Sequence, residues 1–235
     1  MNIGFFGHST ASWTGDPRSF IDIVKEEFNA TIVNIGVPQG SEERIYYDLK
    51  KSNRNNDLDW AFIFHGLGGY LFMPGCNRDL NISAIPRKKA KVLWKDESEG
   101  EIHDSQESFE KYFFRPEDKI KDRFKDSDTF IQCMTLYKEF LYDPILHYNR
   151  HEGALSMIDQ YCKYFNIKTV HMINNDDKPN WFEFTSGNRG EELEKIMEDY
   201  YPEGKGEPWM ANNLTEEGNR KMADAIIRII NQGVA

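Results

Sequence analysis

Three short apolar runs, each closed by a glycine, constrain the fold of this chain most strongly. They are NIGFF before Gly7, ATIVNI before Gly36 and DWAFIFH before Gly66. A short apolar run that ends at a glycine is typical of a buried strand that feeds a loop. Apolar residues recur at helical spacing between these runs, from Phe20 to Phe28 and from Ile45 to Leu49. Strands that alternate with helices at roughly regular spacing predict a parallel, doubly wound sheet.

The rest of the chain fits one α/β domain over residues 1–235, because 235 residues are enough for a single large core. The predicted architecture is a three-layer α/β/α sandwich with a mainly parallel, flavodoxin-like sheet. Residues 70 to about 125 show no clear period, which indicates an insertion beside the site. Further elements are predicted as follows: helices starting at Asp16-Pro17, Ser41 and Thr215, two helices between Ser127 and Phe165 with a break near Asp143-Pro144, a strand over Lys168–Ile173 and a short extra strand over Trp181–Phe184.

Composition and charge exclude several classes of protein. The formal net charge is -10 with dispersed acidic residues, so nucleic acid is not an expected partner. No apolar run is long enough to span a membrane, and the N-terminus carries no secretion signal, which predicts a cytoplasmic or virion-associated protein. Cys76, Cys133 and Cys162 stand far apart and are expected to be reduced core residues. We expect no metal and no cofactor, because no cluster has the spacing of metal ligands.

The loops that follow the three glycine-closed strands indicate a site. They read GHSTA with Ser9, GVPQGS with Gly40, and HGLGG with Gly68. Ligands bind outside the carboxyl ends of the strands in open parallel sheets, where such loops converge. A serine hydroxyl together with glycine N–H groups is what acyl transfer needs, since one attacks the carbonyl and the others stabilise the oxyanion.

Taken in order, these loops resemble the SGNH hydrolases, also called the GDSL esterase and lipase family. Gly7-His8-Ser9 resembles the nucleophile block, and NIGVPQGS resembles the second block, which ends at Gly40. The stretch from Asn213 through Leu214 to Gly218 resembles the block before the last helix. The resemblance implies Ser9 as nucleophile, Gly40 and the Ser9 amide as oxyanion donors, and a small-molecule or carbohydrate ester as substrate.

The sequence departs from the family at the residues that would activate the serine. Gly68 stands in the block that carries the oxyanion asparagine, Asn213 stands at the position of the histidine, and Met210 stands at that of the aspartate. An asparagine side chain orients a hydroxyl but does not take its proton. His65, at the end of the third strand, is the first candidate for a displaced base, and His103 in the insertion is the second.

The function therefore stays open between three hypotheses. The first is a weakened or inactive SGNH-like ester hydrolase with Ser9, Gly40, Gly68, Asn213 and His65 at its site. The second is a non-catalytic SGNH-like binding or structural protein, with an oligomer or a virion of viral or phage origin as its assembly. The third is phosphate binding, because STASWTG loosely resembles the phosphate loop of flavodoxins. His171 and the pair Asp176-Asp177 are expected to be a hydrogen-bonded core histidine and a turn.

Overall fold

The computed structural model of the protein describes residues 1–7, 18–34, 36, 40–65, 70–72, 79–81, 94–96, 101–103, 133–134, 136–173, 183–200 and 214–233. In these residues the strands are β1 (Asn2–Gly7), β2 (Thr31–Asn34), β3 (Trp60–Phe64), β4 (Tyr70–Leu71), β5 (Leu80–Asn81), β6 (Trp94–Asp96), β7 (Glu101–His103), β8 (Lys168–Met172) and β9 (Gly187–Arg189). The α-helices are α1 (Phe20–Phe28), α2 (Glu42–Asn56), α3 (Pro144–Tyr164), α4 (Glu191–Asp199) and α5 (Glu216–Gln232). A π-helical segment, Tyr137–Leu141, precedes α3.

The central sheet has the order β2-β1-β3-β8-β9. Each neighbouring pair in it is parallel, with Ile3 opposite Trp60 and Trp60 opposite Lys168. Apart from the short strands β4 to β7, this is the order 2-1-3-4-5 of the flavodoxin-like, doubly wound sheets. The strand order confirms the predicted α/β fold with a doubly wound parallel sheet.

The side chains of β3 show why the sheet lies between two layers of helices. Trp60, Phe62 and Phe64 lie in a core with residues of α1, α4 and α5. Ala61 and Ile63 lie in a second core with residues of α2 and α3. Successive residues of a strand point to opposite faces, so a strand that is apolar throughout needs cover on both. The two cores establish the three-layer α/β/α arrangement.

The helix starts show which capping signals in the sequence were sufficient. Ser41 caps α2 by accepting a hydrogen bond from the Arg44 N–H, and Thr215 caps α5 in the same way. Both starts were predicted. The predicted start of the first helix at Asp16-Pro17 is wrong: those residues lie outside the described ranges, and α1 begins at Phe20. The physical reason is the Ser19 capping box, in which the side chain of Ser19 and that of the residue three positions later satisfy each other's backbone N–H groups.

The region after β3 and the far edge of the sheet both hold structure that the sequence pattern did not predict. Two antiparallel strand pairs lie between residues 70 and 103, β4 with β5 and β6 with β7. At the far edge, the expected strand over Trp181–Phe184 is wrong in position. Trp181 lies outside the described residues, Phe184 is not in a strand, and β9 instead pairs with β8 through Gly187 opposite Thr169.

The cysteines divide between core and surface. Cys162 is buried in the core between the sheet and α2/α3, and burial raises the pKa of its thiol to about 12. It is the core residue that the sequence predicted. Cys133 is exposed, contrary to that prediction, on the same stretch that exposes Leu136 and Phe140. Cys76 lies outside the described residues. Across the described ranges, no helix is both long enough and apolar enough to cross a membrane.

Candidate functional site at the carboxyl edge of the sheet

The described structure places two of the five predicted site residues. Gly40 is buried directly before the cap of α2, and His65 is buried directly after the last residue of β3. Ser9, Gly68 and Asn213 lie outside the described residues, so their roles stay predictions. His65 therefore marks the carboxyl end of β3, and Gly40 precedes the helix that follows β2.

The strands β1 and β3 end side by side, with Gly7 opposite Phe64. The chain leaves β1 toward β2 on one side, whereas it leaves β3 toward β8 on the other, which makes this gap the topological switch point of the sheet. Gly7 has φ of +131°, and a Cβ there would lie 2.0 Å from the carbonyl oxygen of Phe64. Only glycine fits this position, so the backbone is free to turn sharply into the segment that carries Ser9.

Four side chains from four different segments form a hydrogen-bonded line beside this edge. The Glu42 carboxylate oxygen Oε2 lies 2.9 Å from His65 Nδ1, and His65 Nε2 lies 2.9 Å from His171 Nδ1. His171 Nε2 lies 3.1 Å from the Ser186 hydroxyl. Glu42, His65 and His171 are buried, whereas Ser186 is partly exposed. The line, which we name the Glu42–Ser186 relay, thus runs from a buried carboxylate to the hydroxyl of a partly exposed serine.

The direction of the protons along the relay follows from its first member. A carboxylate accepts hydrogen bonds only, so His65 donates to Glu42 through Nδ1–H. In the tautomer in which His65 accepts at Nε2, His171 donates through its own Nδ1–H. Burial lowers the pKa of His171 well below its usual 6.5, and the neighbouring His65 lowers it further, so His171 is neutral at pH 7. In that tautomer His171 Nε2 is an acceptor, and the Ser186 hydroxyl donates to it.

An aromatic ring and a buried aspartate hold the relay in place. The ring of Phe184 stacks on His171 with centroids 3.8 Å apart, and on His65 at 4.9 Å. Asp159 of α3 accepts hydrogen bonds from the backbone N–H groups of Thr185 and Ser186, both at 2.8 Å. These contacts fix the turn that carries Ser186, because the carboxylate satisfies two consecutive amides at once.

A second buried network fixes the start of α2 next to Glu42. Asp79 is 0% exposed and accepts hydrogen bonds from the Ser41 N–H at 2.7 Å and the Ser41 hydroxyl at 2.6 Å. It also pairs with Arg44, whose Nη2 lies 2.8 Å from Oδ1, and the Arg44 guanidinium lies over the ring of Phe72. Asp79 belongs to the region after β3, so this pair anchors that region against the helix that carries Glu42.

Sequence reasoning found two members of the relay and missed the other two. His65 was predicted as a displaced base and His171 as a hydrogen-bonded core histidine; the structure confirms the burial and bonding of His171 and joins it to His65. Glu42 and Ser186 were not predicted. A signal for Glu42 exists, because an acidic residue beside a serine cap faces the carboxyl edge of a parallel sheet. The side chain of His103, the other candidate base, lies outside the described residues.

Both ring nitrogens of His65 already have hydrogen-bond partners within the relay, which bears directly on its predicted role. A base for Ser9 needs a ring nitrogen that accepts the serine proton. His65 would have to give up Glu42 or His171 to do so. Within the described ranges, no three histidine, cysteine, aspartate or glutamate side chains are grouped so that they could hold a metal ion.

No protein-family model matches the chain, and no curated protein matches it. Among solved structures, it is similar to the lipase/acylhydrolase from Enterococcus faecalis, at 14% sequence identity and a TM-score of 0.38. That alignment covers 100% of this chain and 97% of the acylhydrolase. The fold assignment itself depends on the strand order and the two cores described above: this chain has a doubly wound α/β/α fold.

Proposed function

We propose that the chain is a weak ester hydrolase whose substrate, a small-molecule or carbohydrate ester, binds at the switch point between β1 and β3. Ser9 is the nucleophile in this proposal, the N–H groups of Gly40 and Ser9 stabilise the oxyanion, and Gly68 belongs to the same site. The observation that carries the proposal is the side-by-side ending of β1 and β3 at Gly7 and Phe64. Ligands of open α/β sheets bind at this point of the topology.

Chain geometry supports the placement of Ser9 in this crevice. Ser9 follows Gly7 by two residues, which span at most about 7 Å when extended. Neighbouring strands lie about 4.8 Å apart, and β3 ends level with β1, so the end of β3 is within reach of such a segment. β2 and β3 flank β1; Gly40 precedes α2, the helix that follows β2, and His65 follows β3. In this proposal Ser9 lies between the Gly40 amide and His65.

The proposal includes low activity for a physical reason. Serine attack needs a proton acceptor, and both nitrogens of His65 are engaged by Glu42 and His171. Asn213, which stands at the family's histidine position, does not accept a proton at neutral pH. Binding and oxyanion stabilisation without a base still leave roughly a thousandfold acceleration over water in serine hydrolases.

The engagement of His65 favours a second candidate function, namely a binding protein that keeps the crevice without turnover. In this case the relay contributes to stability, and Ser9 contacts a ligand rather than attacking it. The two candidates differ in one observable: a binding protein hydrolyses an activated ester no faster with Ser9 than with alanine at the same position.

The test is hydrolysis of p-nitrophenyl acetate by the wild type, Ser9→Ala and Asn213→His. We expect slow turnover above buffer that falls in Ser9→Ala. We expect at least a tenfold gain in Asn213→His, because a general base typically contributes two orders of magnitude or more, about 10²–10⁴. Equal rates for the wild type and Ser9→Ala would contradict the hydrolase and favour the binding protein. Circular dichroism of each variant serves as the folding control.

A further inference from the structure

A second serine, Ser186, forms a hydrogen bond with a base, and this contact does not involve the Ser9 loop. Its hydroxyl lies 3.1 Å from His171 Nε2, within hydrogen-bond reach of a histidine that is neutral at pH 7. A nucleophilic serine needs this contact, together with a third group that orients the base. In the relay, the orienting groups are His65 and the Glu42 carboxylate behind it.

We propose that Ser186 is a nucleophilic serine that accepts acyl groups from carboxylic esters, with His171 as its general base and with His65 and Glu42 as positioning residues. The geometry of the relay carries this inference: three consecutive contacts of 2.9, 2.9 and 3.1 Å lead from a buried carboxylate to the hydroxyl of Ser186, a partly exposed residue. The proposed function at Ser9 is not required for it.

The chemical step balances within the relay. The Ser186 oxygen forms a bond to the ester carbonyl carbon while its proton passes to His171 Nε2. The bond from that carbon to the leaving alcohol oxygen then breaks, and the same proton moves from His171 to the alcohol. Water releases the acyl group in a second round, in which His171 takes a proton from the water and returns it to Ser186.

The second histidine explains how a buried base holds a positive charge during this step. His171 is fully buried, so a charge that stays on it is expensive. When its Nε2 takes the serine proton, its Nδ1 proton is able to shift to His65 Nε2 along their hydrogen bond. The positive charge then lies on His65, 2.9 Å from the Glu42 carboxylate. Glu42 stands at the N-terminus of α2, where a negative charge is favoured.

The turn around Ser186 limits where the oxyanion is stabilised. The N–H groups of Thr185 and Ser186 both donate to Asp159, so neither serves the oxyanion. This arrangement predicts that Ser186 reacts best with activated acyl and phosphonyl groups, which need little oxyanion stabilisation. It also makes Ser186 rigid, because its backbone is held by α3 and its side chain by β8.

The first test uses a fluorophosphonate probe on the wild-type protein, with peptide mass spectrometry to locate the label. In this reaction the serine oxygen forms a bond to phosphorus while the phosphorus–fluorine bond breaks, and fluoride leaves with the serine proton. We expect the label on Ser186. Ser156 is the internal control, because it is also partly buried but its hydroxyl donates to the Glu152 carbonyl, and it has no hydrogen bond to a histidine of the described ranges. Ser156 is expected to stay unlabelled.

The second test separates a relay from a merely structural network. We expect His171→Gln to slow the labelling of Ser186 about a hundredfold, because it removes the base. We expect Glu42→Gln, which keeps an acceptor for His65 but loses the charge, to slow labelling about tenfold and to move its pH profile to lower pH. Ser156→Ala is expected to change neither quantity.

Five outcomes decide between these proposals. A label on Ser186 with both variant effects supports the proposal. A label on Ser9 alone overturns it and supports the hydrolase proposed above, whereas no label on either serine contradicts both. Equal labelling of Ser186 and Ser156, or a pH profile that is unchanged in Glu42→Gln, also overturns the relay. Because the mapping is done on the wild type, a variant that fails to fold does not remove the test.

Discussion

The buried pair of Arg44 and Asp79 gives a prediction whose size follows from its contacts. Asp79 is 0% exposed and accepts four hydrogen bonds, two from Ser41 and two from the Arg44 guanidinium, at 2.6 to 3.0 Å. Arg44 is itself only 7% exposed. Replacing Asp79 with alanine removes the carboxylate and leaves the guanidinium charge in a buried place, which costs about 3–5 kcal/mol when one partner of a buried pair is lost.

Such a loss is a large share of the free energy of unfolding of a typical domain, which is about 5–15 kcal/mol. For a chain of this size we expect the melting temperature of Asp79→Ala to fall by roughly 6–20 °C, since 1 kcal/mol corresponds to about 2–4 °C. Urea unfolding followed by circular dichroism measures the free energy directly. The matched control is Glu217→Ala, because Glu217 and Lys221 form an exposed pair at 3.6 Å. That variant is expected to change stability by less than about 0.5 kcal/mol.

The double variant Arg44→Met/Asp79→Leu tests the cause. If the loss in Asp79→Ala comes from an uncompensated buried charge, removing both charges recovers most of it, because apolar replacements of buried pairs are often neutral or stabilising. A loss below about 1 kcal/mol in Asp79→Ala would refute the reasoning. So would a double variant that is less stable than Asp79→Ala.

Three further predictions concern the core. Burial lowers the pKa of His171, so at acidic pH the unfolded chain binds a proton that the native protein excludes. As the pH is lowered from about 6.5, the free energy of unfolding measured in urea is expected to decrease by up to about 1.4 kcal/mol per pH unit. His171→Gln is expected to lose this dependence between pH 6.5 and 5.5, and an equal slope in both proteins would contradict it. Gly7→Ala is expected to cost about 3 kcal/mol or more, as measured by thermal unfolding, because the new Cβ meets the Phe64 carbonyl oxygen; a loss under 1 kcal/mol would count against the tight turn. Asn219→Ala is expected to cost about 1–3 kcal/mol in the same assay, since it takes away the acceptor for the buried Phe20 N–H. Asn219→Asp should lose at least as much, because a buried carboxylate would face the Leu214 and Thr215 carbonyl oxygens that the amide N–H groups now bind.

The sheet was predictable from the sequence because its signals are local. Each apolar run of the first half became a strand, and the serine and threonine caps of α2 and α5 stand beside the first turn that they complete. The strand β9 escaped prediction because its sequence, Gly-Asn-Arg, has no apolar alternation. Its position comes from its neighbour β8 rather than from its own residues. The start of α1 was misplaced because a proline is a weaker signal than the Ser19 capping box.

The relay could not be predicted residue by residue, because its contacts span large separations in sequence. Glu42 and His65 are 23 positions apart, and His65 and His171 are 106 apart. The register of the sheet does contain the signal. Ile63 lies opposite His171, and His65 lies two residues beyond Ile63 on the same face, so neighbouring strands bring the rings together. Ser186 could not be predicted, because its position depends on the path of the chain after β8. No periodicity in the sequence indicates that path.

The bond between the Phe20 N–H and Asn219 also has a consequence for protein synthesis. Its two residues are 199 positions apart, and α1 packs against α5. At about 5–20 residues per second, a ribosome needs roughly 10–40 s to get from one to the other. During that interval Phe20, Ile21 and Val24 have no α5 to cover them. The nascent chain thus presents an apolar helix face for much of its translation, and it is a natural client for chaperones that bind such faces.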